Sequence, residues 1–172
     1  MNSEFTLRNR QHTHAVDLRR LRIIVTTLLG DLLGQSGYDL GLYLVSTPEI
    51  TMLNQTWLGH SGPTDVITFD YASAARPTSG RLAPKPSAPR KAGPREISLH
   101  GEIFICIDEA FAQARRFRTH WTSELARYII HGLLHLQGYD DLEATDRRRM
   151  KQNEERVLRR LARRFDLRQL AR

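Results

Sequence analysis

A single cysteine, Cys106, is the only thiol in this 172-residue chain. It has no internal partner, which excludes a disulfide-stapled scaffold and points to a reducing compartment, the cytoplasm. No long apolar run is present either. The most apolar early stretch, IIVTTLLGDLL, is too short to span a bilayer and carries Asp31. It lies beyond Arg19, Arg20 and Arg22 and lacks a small-residue cleavage signal, so neither a membrane span nor a signal peptide is expected. Acidic residues are missing or rare in two places. Between Arg76 and Arg95 there are six basic residues and no acid, and between Arg147 and Arg172 eleven basic residues stand against three acids. The formal charge of +7 is therefore carried by two appendages on a net acidic body. Basic patches of this kind suit a polyanion, of which RNA is the commonest in a cytoplasm.

What is present reads as one domain, residues 1–172, of α+β or α/β type. Leu18, Leu21, Ile24, Val25, Leu28, Leu29, Leu32 and Leu33 recur at helical spacing within Val16–Gln35, and Gly37 is a plausible stop. LGLYLVS reads as a strand. Thr47-Pro48-Glu49 reads as the cap and first turn of a short helix running towards Trp57. TDVITFDY is a further strand by its β-branched and aromatic content. A basic insertion at 72–95 follows, with five prolines between Arg76 and Arg95 and no apolar period, and reads as a mobile connection outside the core. EISLHGEIFICID resumes strand character, with Gly101 as a bend and IFICI as a central strand covered on both faces. DEAFAQARRF is a helix with Asp108 as its cap. Thr122 or Ser123 caps the next, which continues through ELARYIIHGLLHLQ to a left-handed stop at Gly138. A last helix starts near Ala144 and carries the basic tail from about residue 147.

The chemistry is concentrated in HGLLHLQGYDD, His131 to Asp141. His131 and His135 stand four apart, on one face of a helix and one turn apart, where two imidazoles can share one metal ion. Gly138 lets the chain reverse, and Asp141, three positions beyond it, can return as a carboxylate ligand. The spacing is that of the metzincin signature. Three protein ligands leave a position open for water. Asp140 and Asp141 read equally well as a turn before a helix, with one of them as its cap, and one can cap while the other ligates. In the zinc proteases a glutamate follows the first histidine as general base. Here Gly132 follows it, which argues against peptide hydrolysis by that route.

The same stretch resembles the hallmark of the YbeY-type endoribonucleases, His-Gly-x-Leu-His-x-x-Gly-Tyr-Asp-His, at every position but the last. LNQTWLGHSGPTDVITF is similar to the family segment ending in Pro-Thr-Asp-Val-Leu-Ser-Phe. GEIFICIDEAFAQA is similar to its Gly-Asp-Ile strand and following helix. The likeness runs from Tyr43 to Leu161, leaving out the proline-rich insertion. It implies an α+β fold, with a small mixed sheet of about four strands, about five helices, and a metal site at the end of a central helix. It also implies one zinc ion and a single-strand-specific endoribonuclease acting in small-subunit ribosomal RNA maturation and ribosome quality control. The implied partners are ribosomal RNA and, beside it, ribosomal proteins or a ribosome-associated GTPase, with no membrane.

The resemblance places the metal ligands at His131, His135 and Asp141, the last where the family has a histidine. His60 and His100 are the alternative third ligands, though neither has the expected spacing. A carboxylate in that place lowers the charge of the site by one, weakens the ion as a Lewis acid and widens the choice of metal beyond zinc. Leu58 stands where the family has a phosphate-binding arginine, with His60 where a second basic residue is common. No catalytic side chain is assigned. The residues expected to hold RNA are Arg147, Arg148, Arg149 and Lys151 in the tail and Arg90 and Lys91 in the insertion. Two other readings compete: a ribosome-associated RNA-binding factor that keeps the metal for structure, and an atypical metalloprotease.

Overall fold

The computed structural model describes residues 3–72 and 99–172. Most of the 72–95 insertion, with Arg90 and Lys91 and the expected mobility of that stretch, lies outside the described residues.

Among the described residues, four strands form one mixed sheet. They are β1 (Glu4–Asn9), β2 (Tyr38–Val45), β3 (Val66–Asp70) and β4 (Leu99–Cys106), in the spatial order β1-β2-β4-β3. β1, β2 and β4 are parallel, and β3 closes the edge antiparallel to β4. Among the described residues, five α-helices accompany the sheet: α1 (Leu18–Thr27), α2 (Thr47–Leu53), α3 (Ile107–Phe117), α4 (Trp121–Leu136) and α5 (Ala144–Arg164). This is the α+β architecture with a small mixed sheet expected from the sequence. As IFICI suggested, β4 is interior to the sheet, and Ile103 to Cys106 are all buried.

The larger core lies on one sheet face, where Leu42, Leu44, Ile103 and Ile105 meet Leu21, Ile24 and Leu28 of the first helical run and Leu125, Ile129 and Leu133 of α4. A smaller cluster on the other face packs Ile50 of α2 with Val45, Ile67, Phe104 and Cys106. α4 presses closely onto the sheet. A Cβ at Gly132 would meet Ile103 Cγ2 at 2.8 Å, and one at Gly101 would run into the Phe69 carbonyl oxygen and meet Leu136 Cδ2 at 2.8 Å. Gly101 thus pairs regularly with both neighbouring strands and makes no bend; its missing side chain is what admits Leu136.

Several local expectations are corrected. β1 was not anticipated: its alternation rests on only two apolar residues, Phe5 and Leu7, of which Leu7 alone is buried in this edge strand. The first helical run ends in a wide turn at Leu28–Leu32, and Gly34, at φ +67°, takes the left-handed position expected of Gly37. The cap of α2 is Ser46 rather than Thr47, and its side chain makes no capping bond. Asp108 does not cap α3, whose cap position is Cys106. Its carboxylate instead accepts from the Thr47 amide at 2.9 Å and the Thr47 hydroxyl at 2.8 Å, so it seals the start of α2 from a neighbouring helix. α4 begins two or three residues earlier than expected, with His120 rather than Thr122 or Ser123 at its cap.

Candidate metal centre

α4 buries almost all of its surface, and His131 and His135 lie on its one half-exposed strip. After Leu136 the chain turns through Gly138 at φ +89°, a left-handed conformation that favours glycine. The Gly138 amide donates to the His135 carbonyl at 2.8 Å and the Tyr139 amide to the Leu134 carbonyl at 3.0 Å, which closes the helix end. The Asp140 carboxylate then accepts from the amides of Asp141 at 2.7 Å and Leu142 at 3.2 Å. Asp140 therefore shapes the turn and Asp141 is swung back to the histidines. Neither aspartate caps α5, where Glu143 occupies that position without a side-chain bond.

The result is a compact donor set. His131, His135 and Asp141 each offer one atom, and all three atoms lie within 4.8 Å of one another. The two Nε2 atoms are 2.9 Å apart, and Asp141 Oδ2 stands 3.8 Å from that of His131 and 4.0 Å from that of His135. Among the described residues this is the group of histidine, cysteine and acidic donors close enough to hold an ion, and neither His60 nor His100 is in it. His100 faces Asp39 at 3.5 Å instead.

The other ring nitrogens explain the orientation. His131 Nδ1 is 2.5 Å from Glu154 Oε1, and His135 Nδ1 is 3.1 Å from the Tyr139 carbonyl oxygen. A carboxylate and a carbonyl only accept, so each Nδ1 is the donor. When both rings are neutral, each therefore presents a bare Nε2 lone pair to the same point, beside a carboxylate oxygen. Three lone-pair donors converging without a proton repel one another unless a cation sits among them. The donor chemistry fits a divalent metal ion, with the remaining ring nitrogens held as metal-bound histidines usually are.

The electrostatics agree. Burial pulls the His131 imidazolium down, but the hydrogen bond and charge of Glu154, followed by Asp65 and Asp141, outweigh it and raise the group above its ordinary value. Burial, reinforced by the charge of His131, holds His135 below its own. Positive charge is thus favoured at this point, and one ring takes it at the other's expense.

Glu154 and the Tyr139 carbonyl were not anticipated. The signal for Glu154 was legible as an acid within the apolar stripe Met150, Val157 and Leu161 of α5. Gly132 was noted as the position where a zinc protease carries glutamate, and the 2.8 Å approach to Ile103 shows that α4 has no room there for any side chain without repacking.

The remaining predicted residues sit beside this centre. Arg147, Arg148, Arg149 and Lys151 are exposed on the first turns of α5. Arg147 donates to the carbonyls of Asp141 at 3.0 Å and Leu142 at 2.9 Å, and the Arg149 guanidinium lies 5.4 Å over the Tyr139 ring. A groove of about 780 Å³ follows the outward face of α5, lined by Arg147, Arg148, Lys151, Arg156, Arg160 and Arg163 among others. Leu58, by contrast, ends the turn after α2 with about half its surface exposed. No helix among the described residues is long and apolar enough to cross a membrane.

The profile of the family described as Endoribonuclease YbeY matches residues 6–162. The chain is 30% identical over 151 residues to an Endoribonuclease YbeY of Salinibacter ruber, covering 86% of this chain and 87% of that one. It is 32% identical over 142 residues to an Endoribonuclease YbeY of Chlorobium luteolum, covering 83% and 86%. In fold it is similar to a Thermotoga maritima protein solved in solution, with a TM-score of 0.53 at 24% identity, covering 92% of this chain and 89% of that one.

Proposed function

We propose that this chain, which belongs to the Endoribonuclease YbeY family, is a metal-dependent endoribonuclease that hydrolyses phosphodiester bonds in single-stranded ribosomal RNA. Its place is small-subunit RNA maturation and ribosome quality control in the cytoplasm, alongside ribosomal proteins or a ribosome-associated GTPase. The chain acts as one domain, 1–172, with 72–95 as an insertion. The observation that carries the reading is the convergence of His131 Nε2, His135 Nε2 and Asp141 Oδ2 within the family's signature stretch.

His131, His135 and Asp141 hold one zinc ion. When bound, the ion supplies a Lewis acid for the phosphate oxygen and lowers the pKa of water. Asp141 in place of a third imidazole leaves less net positive charge to attract a phosphodiester. The chain compensates nearby. Arg147, pinned to the Asp141 and Leu142 carbonyls, sets a guanidinium beside the third ligand. Arg148, Arg149 and Lys151 extend that charge along α5, with Arg90 and Lys91 of the insertion as further contacts to the RNA backbone. Leucine at position 58 supplies no phosphate contact, so turnover is slow. The packing at Gly132 speaks against a peptidase, whose general base would stand there.

Metal analysis of the purified protein together with cleavage of a single-stranded RNA tests this. The expected result is about one ion per chain and cleavage that stops on chelation and in His131→Ala. Metal bound without any RNA cleavage would replace the enzyme with an RNA-binding factor that keeps its ion for structure. Cleavage indifferent to chelators would remove the metal from the reading.

A further inference from the structure

The buried face of α5 contains an acid. Met150, Glu154, Val157 and Leu161 recur at helical spacing and are nearly sealed from water, Glu154 being 7% exposed. A carboxylate persists in such a place only with partners. Those of Glu154 come from α4, where Oε1 lies 2.5 Å from His131 Nδ1 and Oε2 lies 3.9 Å from the Arg127 guanidinium. Arg127 and His131 are one helical turn apart, so both reach the same acid across the α4–α5 seam.

We propose that Glu154 is the positioning residue of the metal centre. It accepts the Nδ1 hydrogen of His131, fixes the ring in the Nδ1–H tautomer, and so turns the Nε2 lone pair to the point shared with His135 and Asp141. This rests on the metal reading above and deepens it. A neutral imidazole in water prefers its proton on Nε2, the form that cannot ligate through that atom. Something must reverse the preference at each ligand. At His135 it is the Tyr139 carbonyl, held by the Gly138 turn and therefore part of the main chain. At His131 it is a side chain from another helix. The two ligands are thus oriented by unlike means, and only His131 is under the control of α5. The packing of α5 against α4 and the readiness of the site for metal are one event.

The test uses the full chain and two variants. Glu154→Gln keeps an acceptor oxygen in a similar shape. Glu154→Leu removes the acceptor and suits the apolar stripe, so its fold is retained. Long-range 15N–1H correlation of the metal-free protein at about pH 9, where imidazoles are neutral, reads the tautomer directly. His131 should be Nδ1–H in the wild type and in Glu154→Gln and move to Nε2–H in Glu154→Leu, with His135 unchanged in all three. Zinc affinity, measured by competition with a chromophoric chelator, should fall on the order of 10–100-fold in Glu154→Leu, as for other residues that orient metal-bound histidines, and recover most of that loss in Glu154→Gln. Retention of the Nδ1–H form in Glu154→Leu, or wild-type zinc affinity in that variant, would overturn the positioning role alone. A wild-type protein that binds no zinc would overturn the metal reading and the role of Glu154 with it.

Discussion

Replacing Gly132 with alanine probes how closely the signature helix lies on the sheet. Two effects oppose each other. In a helix interior, alanine is favoured over glycine by about 1 kcal/mol. Against this, the new methyl would stand 2.8 Å from Ile103 Cγ2, 3.1 Å from Ile103 Cδ1 and 3.2 Å from Thr68 Cγ2. Ile103 is fully buried in the middle of β4 and has no open side to move into. Overpacking of this kind costs about 1–3 kcal/mol, so the net destabilisation is about 1 kcal/mol, or a fall in Tm of about 2–4 °C for a chain of this size. The sharper forecast concerns a second background. In Ile103→Ala, which itself costs about 2–5 kcal/mol, the two closest obstacles are gone and the alanine methyl partly fills the space they leave. There Gly132→Ala should stabilise, by about 1 kcal/mol from helix propensity alone. Urea unfolding of the four proteins in this cycle measures the coupling directly. If Gly132→Ala stabilises the wild type, or has the same effect in both backgrounds, the close approach of α4 to β4 is not what keeps position 132 a glycine.

Asp108 should make the fold acid-sensitive. Burial would raise its carboxyl, but the amide and hydroxyl of Thr47, the Thr13 hydroxyl and the charge of His14 outweigh that and hold it below its ordinary value. Its contribution is therefore complete above the unfolded-state pKa and lost as pH falls through the lower folded value; Asp108→Asn should be less stable than the wild type at neutral pH, and the gap, followed by thermal melts, should close in acid, whereas a gap independent of pH would contradict the assignment. Neutralising Arg147, Arg148 and Lys151 together should weaken RNA binding for all sequences alike and reduce the slope of log affinity against log salt by about 2, at roughly 0.7 per single-strand phosphate contact; an unchanged slope would place the RNA elsewhere. Leu58→Arg restores a cation on an exposed position and should raise the rate of metal-dependent RNA cleavage without altering zinc affinity; a rate that stays the same would show that position 58 does not reach the phosphate.

How much of this was legible in the sequence depends on how far apart the cooperating residues lie along the chain. His131, His135, Gly138 and Asp141 fall within eleven residues, so helix geometry and one left-handed turn suffice to bring them together, and the donor set could be read in advance. Glu154 stands 23 residues from its histidine, on another helix. Its only local mark is an acid in an apolar stripe, which shows that a partner exists without saying which. The same limit explains Asp108. An acid at the start of a helix is ordinarily the cap of that helix, and the sequence holds no sign that it caps α2, 61 residues away, through Thr47. β1 was missed for a related reason, since two alternating apolar residues, Phe5 and Leu7, are too short a signal alone and the strand is defined by its pairing with β2.

Gly132 joins the two levels. Read along the chain, it is the place where a zinc protease would carry its general base and this chain carries nothing. In the fold, the helix that supplies both histidines can reach the sheet only because nothing is there, since Ile103 fills the space a first side-chain atom would need. The absence of a local carboxylate is thus a condition of the packing that holds the site. It follows that any proton acceptor for the reaction must come from outside this face of α4. In the described structure, acids reach the site from two other elements: Asp141 comes from the turn after α4 and Glu154 from α5, and both are already engaged with the histidines. A search for the catalytic base by substitution should therefore begin at Asp65, the residue just before β3, whose charge helps to raise His131.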